Sequence, residues 1–97
     1  MTKFEREHYG RLSQLGCMAC LILGHGYSTP EIHHARAGMG MGMRNDYKSA
    51  IPLCPLHHRT GGHGVAYHSG RLAFEEMLGM TELELLNKTL RLLEGAP

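Results

Sequence analysis

The sequence contains no tryptophan and only two phenylalanines, so a core built from it has few large aromatic anchors. Cysteine is scarce too, and three residues, an odd number, cannot close a disulfide framework among themselves. No apolar run approaches the about 18–20 residues of a membrane span. Residues 1–11 are charged and lack the apolar stretch of a signal peptide. The expectation is a soluble, intracellular chain with no membrane partner. Neither sign of charge dominates: ten Lys and Arg against nine Asp and Glu leave a net charge of +1, which neither indicates nor excludes nucleic acid. Length argues against a second domain, since 97 residues fit one. A core this lean invites an additional staple, and eight histidines beside the cysteines point to metal.

Three regions are expected within this single domain, 1–97. In 1–16, Thr2-Lys3-Phe4-Glu5 forms a capping box, Phe4, His8, Leu12 and Leu15 recur at helical spacing, and Gly16 stops the helix, read over 3–15. In 17–70 the texture changes: ten of the thirteen glycines fall between Gly16 and Gly70, and no long period survives. Loops and short strands are expected there, with Glu31–Ala35 and Ser49–Leu53 as a long-looped hairpin around the Gly/Met-rich run 37–43. In 71–97 helical spacing returns at Leu72, Phe74, Met77 and Leu78, and Gly79 breaks it. A second capping box, Thr81-Glu82-Leu83-Glu84, opens a last helix whose Leu83, Leu86, Leu90 and Leu93 form one stripe, read as core packing or the seam of a homodimer. The class expected is α+β.

Cys17-Met18-Ala19-Cys20 is a CxxC, a spacing that folds two thiolates onto one ion. Cys54-Pro55-Leu56-His57 repeats the gap after 33 intervening residues, with His in the last place. Together Cys17, Cys20, Cys54 and His57 make a candidate Cys₃His structural zinc site. Two other readings are small buried hydrophobes and a thioredoxin-like redox pair. The redox motif belongs in a βαβ context that this glycine-rich region lacks. A closed four-ligand site has no free position, and its contribution to folding is on the order of 10 kcal/mol.

Five of the remaining histidines supply a second constellation: His33 and His34, then His58, then His63 or His68. Adjacent residues of a strand point to opposite faces, so His33 and His34 divide into one ligand and one base. Arg36, Arg44, Lys48 and Arg59 flank these residues and are candidates for phosphate contact.

Glu31-Ile32-His33-His34 followed by Ile51-Pro52-Leu53-Cys54-Pro55-Leu56-His57-His58 resembles the HNH endonuclease pattern, a ββα-metal finger decorated with zinc knuckles. More narrowly, the run from His57 to Gly70, with the Phe74 helix and the Gly79/Thr81 helix start behind it, resembles the Ref-like, RecA-dependent nucleases of phages. The resemblance extends from about Cys17 to Leu86. It implies a small zinc-stapled ββα-metal (HNH) finger with an N-terminal helix and two C-terminal helices. It implies His33 and His58 as ligands of a catalytic divalent metal, a later histidine as the last ligand, and His34 as general base. His68 is preferred for the last place because Gly61-Gly62 spoils a helix there, with His63 as second choice. The pattern's middle asparagine has no counterpart in Asp46–Ala50, so the residue orienting His34 is left unassigned.

By this resemblance the chain is a metal-dependent DNA endonuclease of phage recombination, working in a bacterial or phage-infected cytoplasm on DNA and RecA filaments. Magnesium or manganese is the working ion, with zinc or nickel also suited to the histidines. The alternative is a zinc-stapled module that binds DNA or a recombinase without cutting, which leaves His33, His34, His58 and His68 idle.

Overall fold

The computed structural model describes residues 1–35 and 47–95. Helix α1 spans Lys3–Leu15 and opens on the expected capping box, with the Thr2 hydroxyl accepting from the Glu5 amide and the Glu5 carboxylate reaching back to the Thr2 backbone. Its apolar spacing is only half used, because Leu12 is fully buried while Phe4 is 72% exposed.

A short helix, α2 (Met18–Ile22), stands where loops were expected. Its cause is local: the Cys17 thiol caps the turn by accepting from the Cys20 amide at 3.4 Å, so the knuckle itself nucleates a helical turn. Strand β1 (Glu31–His34) pairs antiparallel with β2 (Ala50–Leu53) in the register Glu31↔Leu53 to His34↔Ala50. Pro52 sits opposite Ile32 and is tolerated because a two-stranded sheet has only edge strands.

All four residues of β2 are buried, and α1, α2 and the last helix pack against that strand. Where the finger pattern leads one to expect an α-helix after β2, the chain makes a single π turn, Leu56–Thr60, closed by the Gly61 amide donating to the Leu56 carbonyl. Gly61 permits this closure, since a Cβ there would stand 2.5 Å from the Leu56 carbonyl oxygen and 2.6 Å from Val65. A 3₁₀ turn, Tyr67–Ser69, leads into α3 (Arg71–Leu78) and then α4 (Glu82–Leu93).

Helix α4 begins at its expected capping box, but the face it buries is rotated from the leucine stripe. Glu82, Leu85, Leu86 and Thr89 are buried, while Leu83 is 38% exposed. The stripe is therefore no continuous seam: Leu86 and Leu90 join the core with Phe74, Leu78 and Ile51. The rotation follows from Glu82, which turns inward to meet His33. Arg11 of α1 donates to the Leu93 carbonyl, tying the N-terminal helix to the end of α4. Among the described residues no helix is long and apolar enough to cross a membrane.

Candidate metal centres

The two knuckles meet. Cys17 and Cys20 at the start of α2, Cys54 just after β2 and His57 in the π turn form one buried group with every donor atom within 4.8 Å of the others. All three cysteines are free thiols. Four donors around a tetrahedral zinc at about 2.3 Å for sulfur and about 2.0–2.1 Å for nitrogen stand roughly 3.8 Å (S···S) and roughly 3.5 Å (S···N) apart. The structure has Cys20 Sγ 3.9 Å from Cys54 Sγ, and His57 Nδ1 3.7, 3.5 and 3.3 Å from the sulfurs of Cys17, Cys20 and Cys54. The group can hold a metal. Burial pushes the Cys17 thiol up to about 12, so gathering thiolates here requires a cation to offset their desolvation. Burial, and then the nearby His25, lowers the pKa of His57, which favours the neutral form a ligand needs. Ser28 adds a hydroxyl donor 3.1 Å from Cys20 Sγ.

The second centre lies on the other side of the π turn, which carries His57 to the cysteines and His58 to the remaining histidines. His33 of β1, His58 of the π turn and His68 of the 3₁₀ turn have ring nitrogens within 4.8 Å of one another. His58 Nε2 is 3.1 Å from His68 Nε2. Two imidazole nitrogens bound at about 2.0–2.1 Å to one ion stand about 3.0–3.4 Å apart, so the spacing fits a shared ion. The donor set is all nitrogen, which suits zinc or nickel.

Two of the three rings are held from behind by carboxylates that the sequence reading did not single out. Glu82 receives His33 Nε2 at 2.6 Å, both side chains being buried. Glu31 receives His58 Nδ1 at 2.8 Å and is itself forked by Arg59, with Nη2 at 2.7 Å and Nε at 3.0 Å. Arg59, then His58, hold the Glu31 carboxyl well below the usual range, at about 2. The only sequence signal for Glu31 was its place at the strand start. Glu82 was visible only as a capping-box residue.

His34 follows His33 on β1 and points away from it, half-buried, with Nε2 3.4 Å from the Tyr9 hydroxyl of α1. Burial, and then the charge of His33, lower its pKa. His63 stands outside the three-histidine group, with its Nδ1 on the Ser69 carbonyl at 3.3 Å, holding the loop that delivers His68.

A family model described as "Recombination enhancement, RecA-dependent nuclease" matches residues 1–94. The chain belongs to this family. No curated protein and no solved structure gives a significant match. As a member of a nuclease family the chain is of the hydrolase type, its role lies in recombination, and DNA is the substrate that role implies. The family's description also names dependence on RecA. Of the arginines and lysines expected at DNA, Arg36 and Arg44 lie outside the described residues. Lys48 is exposed with its amine 5.9 Å from the Tyr47 ring centre, and Arg59 is engaged by Glu31.

Proposed function

We propose that the chain is a metal-dependent DNA endonuclease of the HNH type, a zinc-stapled ββα-metal finger in a single domain that cuts DNA in phage recombination in concert with RecA. The observation that carries this reading is the convergence of His33, His58 and His68 beside a separate Cys₃His group, with His34 as the next residue on β1. Cys17, Cys20, Cys54 and His57 hold the structural zinc. His33, His58 and His68 hold a magnesium or manganese ion in the working enzyme, and zinc or nickel also suits these ligands. That ion would supply positive charge to offset the charge that develops on the phosphate and on the leaving 3′ oxygen.

His34 takes the proton. In the tautomer whose Nε2–H donates to the Tyr9 hydroxyl 3.4 Å away, Nδ1 keeps a lone pair for the attacking water, and a pKa lowered by burial and then by His33 favours the neutral ring. Tyr9 thus takes the orienting place that no asparagine before Cys54 fills. The water oxygen bonds to phosphorus as the P–O3′ bond breaks, its proton passes to His34, and the departing 3′ oxygen takes a proton from bulk water, leaving a 5′ phosphate and a 3′ hydroxyl. Lys48 and the exposed part of Arg59, with Arg36 and Arg44, meet backbone phosphates in a salt-sensitive, sequence-independent way.

Nicking of supercoiled plasmid tests this reading. Wild type with magnesium or manganese is expected to nick, and chelation of the added ion stops it. The His58→Ala variant is expected to bind one fewer ion per chain by elemental analysis and to lose nicking. Nicking by His58→Ala at the wild-type rate contradicts the assignment.

A further inference from the structure

We infer that Glu82, in the first turn of α4, is a positioning residue for the histidine centre, holding His33 by Nε2 so that Nδ1 is the nitrogen left for an ion. The inference rests on the reading of His33 as a ligand. It concerns a residue 49 positions away in sequence, on an element that contributes no ligand of its own.

A carboxylate at 1% exposure is costly unless it is fully paired, and the positions around it on the buried face of α4 are Leu85, Leu86 and Thr89. A helix needing only to pack would place an apolar residue there. Glu82 instead lies 2.6 Å from His33 Nε2 and also accepts from the Tyr67 hydroxyl, and Tyr67 packs against the His33 ring at 4.2 Å between centroids. The carboxylate is held in place in turn. The Glu82 amide donates to Glu75 Oε2 at 2.6 Å, and Glu75 meets Arg71 at 3.5 Å.

Glu82 is not among the three converging donors, so it acts through His33. The same arrangement recurs at His58, where Glu31 takes Nδ1 and leaves Nε2 facing His68. Two carboxylates, each occupying one ring nitrogen of a different histidine of the group and leaving that ring's other nitrogen to an ion, is what a histidine ligand set requires, since the outer partner fixes tautomer and ring direction and raises ligand basicity.

The test uses the full chain with its cysteine site loaded with zinc, titrated with cobalt(II) alone, together with ¹⁵N spectra of the histidine rings before cobalt is added. In wild type the His33 ring is expected as the Nε2–H tautomer, and one cobalt binds. Glu82→Leu, which fills the space without a polar atom, is expected to mix the His33 tautomers and weaken cobalt binding 10- to 100-fold. Glu82→Gln, which restores an accepting oxygen without the charge, recovers the tautomer and part of the affinity. A wild-type ring in the Nδ1–H tautomer overturns the inference whatever the variants do. So does a folded Glu82→Leu protein that binds cobalt as wild type does, and this leaves the nuclease reading intact. Failure of wild type to bind any cobalt beyond its zinc overturns both.

Discussion

At the scale of single residues, the histidine centre depends on how one loop is closed. Gly61 allows the π turn to shut against the Leu56 carbonyl, and an added Cβ would collide with that backbone oxygen and with Val65. Gly61→Ala is therefore expected to destabilise the fold by about 1–3 kcal/mol in urea denaturation, a cost of overpacking against atoms that cannot retreat. His63 and His68 separate by role in the same loop. His68→Ala is expected to remove one ion per chain by elemental analysis, whereas His63→Ala, which frees only the Ser69 carbonyl, keeps both ions. The spacing of the cysteines and of His57 was legible because ligand motifs are local. The carboxylates behind His33 and His58 were not, since they depend on pairs 49 and 27 residues apart that only the fold creates.

At the scale of elements, the ends of helices were easier to read than their faces. Both capping boxes, Thr2 with Glu5 and Thr81 with Glu84, stand where the sequence places them, because a cap is decided within four residues. The buried face of α4 is decided elsewhere. An unbroken leucine stripe points to Leu83, Leu86, Leu90 and Leu93, yet Glu82 turns inward to His33 and carries Leu83 outward. Leu86→Ala is accordingly expected to cost about 2–5 kcal/mol, and Leu83→Ala less than about 1 kcal/mol, in paired denaturation curves. Equal costs at the two positions would contradict the observed rotation. Helix α2 escaped the sequence reading for a related reason: the residue that caps it is a cysteine, whose sulfur serves the metal group and the Cys20 amide together.

At the scale of the whole molecule, the hairpin carries both centres. Strand β1 brings His33 and His34, β2 delivers Cys54, and the π turn that follows sends adjacent histidines to different groups, His57 to the thiols and His58 to the imidazoles. The cysteine group and the histidine group are thus joined through one peptide bond. Stripping zinc from the cysteine group is expected to unfold the domain, since structural zinc supplies on the order of 10 kcal/mol of folding free energy, and to disperse His58 with it. Circular dichroism on chelation checks this, and a chain that keeps its helices without metal would contradict it. Loss of the histidine-bound ion alone, as in His68→Ala, leaves the helices in place. Proton transfer is the remaining step, and it is assigned to His34, a residue in neither metal group. The most direct measurement is cleavage of RecA-coated single-stranded DNA in magnesium or manganese by wild type and by His34→Ala, with bound ions counted in both. The expected result is cutting by wild type, none by the variant, and two ions per chain in each; undiminished cutting by His34→Ala would contradict the account.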